Sequence, residues 1–327
     1  RVFYRAVAEA EDDPARGIIG GRSPASGAQE VIVPPEGEPI FFGRGMDAVG
    51  ARVTAYLSED NIIGYADDYV QNTTKHPMDL LSSVLKDKGW GARRIGVEMD
   101  NYWFSARAFA ALQAGLPNAR FQDTTALVNW QRAVKSATEL DYMRKAGAIV
   151  TEMHRRIVEV IEPGMRKNDL VAEIYDAGIR GTADFGGDYP AIVPLLPSGR
   201  EAAAAHLTWD DRPLKSGEGT FFEIAGCYNR YHCPLSRTVF LGKPPKVFVE
   251  GEKAVLEGME AGLEAARPGN TCEQFAGAFF AAAVADFFAV FFAATSLRPF
   301  VPLDWESGVL YPAPAAAAAA PTGPSAE

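Results

Sequence analysis

From residue 30 onward the chain alternates short apolar runs with stretches of helical period, whereas the first thirty residues show neither and are expected to be poorly ordered. Val31-Ile32-Val33 stops at Pro34-Pro35, and Pro39-Ile40-Phe41-Phe42-Gly43 follows a Glu-Gly turn, so the two runs predict a hairpin. His76 to Gly89 reads as a helix with Met78, Leu81, Val84 and Leu85 on one face. Arg94 to Glu98 reads as a strand and Ser105 to Ala114 as a second helix. This alternation over residues 30–125 predicts a small α/β domain, with a boundary near Asn129-Trp130-Gln131-Arg132 that divides the chain into residues 1–130 and 131–327.

Beyond the boundary, Ser136-Ala137-Thr138-Glu139 is a capping box. The helix it opens turns Leu140, Met143, Ala146, Val150, Met153, Ile157 and Ile161 to one side, and Pro163-Gly164 ends it. Asn168 is expected to cap another helix reaching about Gly178. Ala191–Leu196, Gly219–Gly226 and Leu235–Gly242 are strand-like, and Val249–Ala266 is helical before Pro268-Gly269-Asn270. Residues 281–327 have no recognisable organisation, and Ala315–Ala320 is low complexity. Ala278–Ala294 is apolar except for Asp286, but its seventeen residues fall short of the ~20 that span a bilayer. Its Phe pairs recur at helical spacing, which favours a buried or docking helix.

Composition narrows the function classes. Hydrophobic residues make up 47% and charged residues 23% of 327, as in soluble globular proteins. With 32 basic against 42 acidic residues the net charge is −10, which argues against general nucleic-acid binding. Three cysteines without a CxxC pair give no disulfide framework and suit a reducing cytoplasm. No charged-then-apolar leader is visible, and because the chain begins at Arg1 its natural N-terminus is expected to lie upstream.

Six residues stand out as candidate chemistry. Glu223 lies among Phe221, Phe222 and Ile224 on a strand and shares a face with Phe221 and Ala225; an apolar setting suits a carboxylate to proton transfer or nucleophilic attack, and pairing with a nearby arginine makes it structural glue. His206, in a loop before the Glu223 strand, is a candidate proton carrier or a merely exposed histidine. His232 and Tyr231, read as part of a turn, either contact a small substrate or pack the turn. Cys227 and Cys233 are too far apart for a structural zinc site with His232. Arg237 alternates with Leu235 and Val239 and is placed to neutralise Glu223 or to hold a substrate carboxylate. Tyr189, with Asp184 and Asp188 in a Gly- and Asp-rich turn, either lines a pocket or serves the turn. The Gly-rich stretches near Gly17–Gly21 and Gly43–Gly50 match no phosphate or dinucleotide loop, and no Gly-x-Ser-x-Gly elbow occurs.

The run Thr220 to Thr238, with Tyr231-His232-Cys233-Pro234, resembles the metal-binding strand pair of the pita-bread family of methionine aminopeptidases, Xaa-Pro dipeptidases and creatinase. Gly96 to Ser105, Leu127 to Ser136 and Gly186 to Gly199 carry the same resemblance. The family's metal enzymes present two aspartates eleven residues apart where this chain has Glu223 and Pro234. Proline has no donor for a cation, so the resemblance points to the metal-free, creatinase-like branch, and within it to the ectoine hydrolases. It implies a creatinase-type N-terminal α/β domain followed by a pita-bread domain, whose second half is truncated or unrecognisable here.

The activity so implied is opening of the cyclic amidine of ectoine, or of its hydroxylated form, to N-acetyl-2,4-diaminobutyrate in compatible-solute catabolism. Glu223 and His206 would be catalytic, with His232, Tyr231, Arg237 and Tyr189 binding substrate and neither metal nor cofactor required. The resemblance also implies a cytoplasmic homodimer acting on a small molecule, with no nucleic-acid or membrane partner. A metal-dependent Xaa-Pro peptidase, a creatinase acting on another small amidine, and a non-enzymatic relative remain as alternatives.

Overall fold

A computed structural model describes residues 17–21, 30–101, 103–204 and 206–295. Most of the first thirty residues and the alanine-rich tail lie outside the described residues. The N-terminal part contains β1 (Gly17–Gly21), β2 (Glu30–Val33), β3 (Ile40–Arg44), α1 (Gly45–Thr54), β4 (Ile62–Tyr65), α2 (Pro77–Asp87), β5 (Arg94–Val97), α3 (Ala106–Gly115) and β6 (Arg120–Asp123). Its six-stranded sheet has the order β4-β3-β2-β1-β5-β6. The β2/β3 pair is the predicted antiparallel hairpin, with Ile32 opposite Ile40. β3/β4, β1/β5 and β5/β6 are parallel, and β1/β2 is antiparallel. Gly17–Gly21, expected to be without order, is thus an inner strand of this sheet.

The strand period of two builds three layers. Ile32, Ile40 and Phe42 are buried with Met78, Leu81 and Leu85 of α2 and Ala108 and Leu112 of α3. Phe41, on the opposite face, packs with Ile62 and with Ala48 and Ala51 of α1. His76 supplies the cap of α2: its Nδ1 accepts from the Met78 amide at 3.1 Å and its own amide donates to Asp79 at 2.8 Å. Ser105 caps α3 through the Ala108 amide.

Glu30, at the start of β2, is 1% exposed, and its Oε2 has no hydrogen-bond partner. Burial, reinforced by the nearby Glu98 carboxylate, pushes its pKa up to about 8. The group is therefore held protonated in the folded domain at neutral pH.

The remaining elements are α4 (Leu127–Ala133), α5 (Ala137–Val160), α6 (Lys167–Arg180), β7 (Gly219–Tyr228), β8 (Tyr231–Phe240), α7 (Lys246–Ala265) and α8 (Cys272–Thr295). The chain divides into two compact units, one of residues 1–161, 168–195 and 222–236, the other of 162–167, 196–221 and 237–327. In the first, the predicted capping box opens α5: the Ser136 hydroxyl accepts from the Glu139 amide and the Glu139 carboxylate accepts from the Ser136 amide. Ala146, Val150, Met153 and Ile157 are buried as expected, and Ile149 joins them; Leu140 faces outward. In the second unit α7 and α8 approach closely, since a Cβ on Gly258 would lie 2.8 Å from the Ala283 Cβ. Ala278–Ala294 is thus part of a helix packed on another helix, and among the described residues no helix is long and apolar enough to cross a membrane.

Some local expectations shift. The Asn129–Arg132 region lies in the short helix α4, and α6 begins at Lys167, one residue before its expected cap. Ala191–Leu196 is irregular and meets β7 through a single bridge, Leu195 to Glu223. Tyr231, His232 and Cys233 lie on β8 rather than in a turn. The turn is Asn229-Arg230, whose φ values of 47° and 68° place both residues in the left-handed region, as in the two-residue hairpin turns that match strand twist.

Strand β7 and helix α5 meet backbone to backbone at Gly226, where a Cβ would lie 2.2 Å from the Ala146 carbonyl oxygen and 2.6 Å from the Val150 nitrogen. Gly226→Ala is expected to lower unfolding free energy by about 1–3 kcal/mol or more, because backbone must move. Gly251→Ala, on α7 with open space around it, is expected to raise it by up to ~1 kcal/mol through helix propensity. Urea unfolding of both variants checks the contrast. The raised Glu30 value has its own signature: its stabilising contribution is complete below the unfolded value near 4.5 and is lost as pH rises through about 8. Glu30→Gln is expected to flatten stability against pH across that window; an unchanged slope counts against a neutral Glu30.

Candidate active site

Strand β7 sorts its residues onto two faces. Phe222 and Ile224 are fully buried, and Gly226 on the same face meets the backbone of α5. Glu223, Ala225 and Cys227 alternate with them and point the other way. The Glu223 backbone is fixed by a reciprocal pair: Leu195 donates to its carbonyl at 3.0 Å and its amide donates to the Leu195 carbonyl at 3.2 Å. The side chain is half-buried beside buried Ala225. A carboxylate is thereby held on a rigid strand with its orientation set by the pleat, the placement that proton transfer or nucleophilic attack requires.

At the tip of the hairpin, loop 188–191 is stitched to β7 and β8. The Asp188 amide donates to the Cys227 carbonyl at 2.9 Å, and the Arg230 amide donates to the Asp188 carboxylate at 3.2 Å. The Arg230 guanidinium stacks 4.1 Å from the centre of the exposed Tyr189 ring. His232 closes the stitch: its Nε2 accepts from the Ala191 amide at 2.9 Å and its Nδ1 lies 3.1 Å from the Arg230 carbonyl oxygen. An Nε2 that accepts leaves the proton on Nδ1, where the carbonyl receives it, so the ring is a neutral Nδ1–H tautomer. Cys227, 4.0 Å from that nitrogen, is buried, and burial pushes its thiol pKa up.

Tyr231 is buried, and its hydroxyl donates to Glu139 at 2.7 Å. The same carboxylate caps α5, and its pKa is lowered first by the Ser136 amide and then by Tyr231. Tyr142 packs between Tyr228 and Tyr231 with ring centres 5.7 and 5.6 Å away. The Lys145 ammonium lies 4.9 Å from the Tyr228 centre. Of the six residues singled out from sequence, the first unit thus holds Glu223, Tyr189, Tyr231 and His232 on one hairpin and its stitched loop.

The second unit carries the other two. His206 is exposed, in the segment between a 3-10 turn at Gly199–Ala203 and Asp210; Arg237 is exposed on β8. Around the His206 segment lies a charge cluster not anticipated from sequence. Lys167, 4% exposed, sits 3.2 Å from Glu201 and 3.4 Å from Asp210, and Arg212 bridges the same two carboxylates. Hydrogen bonding from Arg212 holds Asp210 down at about 2 and Glu201 below its ordinary value. The Asp210-Asp211-Arg212 run is visible in the sequence, but nothing in it signals a lysine more than forty residues away.

Pro234 offers no donor atom for a cation, and among the described residues no group of three or more His, Cys, Asp or Glu is placed to hold a metal ion.

With this geometry in hand, the sequence comparisons are specific. Residues 20–134 match the creatinase/prolidase N-terminal domain, and residues 141–295 match metallopeptidase family M24. The two matches follow one another along the chain, a creatinase-type N-terminal domain and then an M24 pita-bread domain. A Halomonas elongata protein named ectoine hydrolase is 57% identical over 260 residues, covering 78% of this chain and 65% of that protein. An uncharacterized hydrolase/peptidase of Sinorhizobium fredii is 40% identical over 235 residues, 72% of this chain and 60% of the relative. The chain thus spans less than two thirds of the length of either relative. The solved prolidase of Thermococcus sibiricus superposes with a TM-score of 0.71 at 16% identity, over 88% of this chain and 77% of the prolidase, and shares the fold.

The bonding of His232 predicts its tautomer. Nitrogen-15 NMR at neutral pH is expected to show protonated Nδ1 and bare Nε2; the opposite tautomer contradicts the Ala191 contact.

Proposed function

We propose that this protein is a hydrolase that opens the cyclic amidine of ectoine, or of hydroxyectoine, to an N-acetyl-2,4-diaminobutyrate. The observation that carries the reading is a half-buried carboxylate, Glu223, on a strand whose hairpin partner offers proline where a second metal ligand would stand, in a chain 57% identical to a named ectoine hydrolase. Ectoine joins a delocalised amidinium to a carboxylate, so its site needs an anion beside the ring and a cation or dipoles for the acid. Glu223 meets the first need, either attacking the amidine carbon itself or taking a proton from the water that does. With water as nucleophile, its oxygen adds to that carbon, one ring C–N bond breaks, and the leaving nitrogen takes up a proton. With Glu223 as nucleophile, the same bond breaks and water then attacks the Glu223-bound carbon, leaving its oxygen in the acetamide and freeing the carboxylate. His206 is assigned the delivery of that proton, because an imidazole exchanges protons near neutral pH.

Arg237 is assigned to the substrate carboxylate, where a guanidinium fork binds two oxygens. Tyr189, Tyr231 and His232 are assigned to the substrate-binding wall, which the stitched hairpin tip keeps in one conformation. The catalytic domain is taken to begin near residue 131, and the protein to work without metal as a cytoplasmic homodimer. A second reading, a metal-dependent Xaa-Pro peptidase, draws on the fold shared with solved prolidases. The absence of donor atoms at Pro234 weighs against it.

One assay separates the readings. Glu223→Gln is expected to reduce ectoine turnover by roughly 10²–10⁴-fold with the fold intact by circular dichroism, and chelator treatment is expected to leave the unmodified protein's activity unchanged. A variant at the unmodified rate removes Glu223 from the mechanism. Activity lost to chelator and restored by a divalent cation transfers the assignment to the peptidase reading.

A further inference from the structure

We infer that Lys167 is a positioning residue, which, together with Glu201, Asp210 and Arg212, braces the segment carrying His206; the inference rests on the role given to His206 above. The brace closes that segment at both ends. Glu201 lies five residues before His206 and Asp210 four residues after it, and Lys167 reaches both, at 3.2 Å and 3.4 Å. The lysine is itself anchored by backbone: residues 164–167 run against 212–214, with the Lys167 amide donating to the Arg212 carbonyl at 3.2 Å, Leu214 to Met165 at 2.8 Å and Gly164 to Leu214 at 2.8 Å. Among the described residues between the two carboxylates, the backbone bonds run from Ala204 to Glu201 at 2.8 Å, from Leu207 to Ala204 at 3.4 Å, and from the Leu196 amide to the Leu207 carbonyl at 3.2 Å.

The charge arrangement fits a brace better than surface glue. Exposed ion pairs hold little, because water competes for both partners. Lys167 is almost fully withdrawn from water, and an ammonium in that position requires both carboxylates in place. Arg212 then locks them from the solvent side, donating from Nε to Asp210 at 2.7 Å and also bonding Glu201. A histidine that is exposed and has little packing of its own gains a fixed position from such a frame. Small misplacements of a catalytic group are costly, on the order of 10²-fold in rate for about 1 Å.

The test compares Lys167→Met with Lys167→Arg in the full chain, by amide hydrogen exchange and by ectoine turnover. Lys167→Met is expected to speed exchange over residues 204–210 by about tenfold or more while α7 exchange stays constant. It is expected to lower kcat by roughly 10- to 100-fold with KM changed by less than about twofold, and Lys167→Arg is expected to recover most of both. If Lys167→Met does not fold, Glu201→Gln, at a partly exposed position, carries the same measurements. Unchanged exchange over residues 204–210 overturns the brace whatever happens to turnover; faster exchange with unchanged kcat overturns its role in positioning. A His206→Asn variant that turns over at the unmodified rate sinks the reading of His206 instead, and exchange alone then decides the brace.

Discussion

The geometry of the first unit depends on the contact of β7 with α5 at Gly226. Where a side chain would strike the carbonyl of Ala146, glycine lets strand and helix backbones meet. That approach buries Phe222 and Ile224 on the helix side and, through the strand's period of two, commits Glu223, Ala225 and Cys227 to the opposite face. A one-residue slip would bury the glutamate against α5 and move the two apolar side chains to the face it now occupies. Packing energy on one face thus fixes the address of a carboxylate on the other.

The ends of the hairpin are held by polar contacts of a different kind. Tyr231 reaches the same glutamate that caps α5, so helix start and strand start share one carboxylate. His232 takes a backbone amide on one ring nitrogen and faces a carbonyl with the other, and loop 188–191 follows the hairpin wherever it goes. Both side chains were singled out as groups that touch a substrate or pack a turn. Their bonding partners describe how the hairpin and its neighbouring loop are held in one arrangement.

Much of the fold was legible in the chain because local rules and packing agree there. The β2/β3 hairpin, α2, α3 and the Ser136 capping box each carry their own signal within a few residues, and each forms as read. The places where the reading slipped are those where the decisive partner is remote. Gly17–Gly21 has little side-chain pattern, and its strand exists through pairing with Val31–Val33 and β5. Ala191–Leu196 looks like a strand by composition, yet only Leu195 meets β7, because the loop on one side is held by His232 and the turn on the other by Ser198. Tyr231-His232 lies just past the turn rather than in it, because two consecutive left-handed residues are tolerated at Asn229 and Arg230 without a glycine. Of the site, Glu223 was marked by being a charge in an apolar run. The Lys167 brace was invisible, since ion pairs across forty residues leave no periodicity.

The two kinds of anchoring bear differently on catalysis. Glu223 inherits its position from a strand, where moving it by an ångström means moving the Leu195 pair and the glycine contact together. His206 has no regular element beneath it, and its exposed segment would drift on its own account. In the role proposed for it, His206 would have to return to the same place at each turnover, or the gain from fixed geometry would be lost to entropy. On either side of that segment the fixed partners are charges: a withdrawn ammonium lies between the carboxylates of Glu201 and Asp210. In the proposed reaction, hydrophobic register would thus place the strand-borne carboxylate, and a buried cation would place the loop-borne histidine.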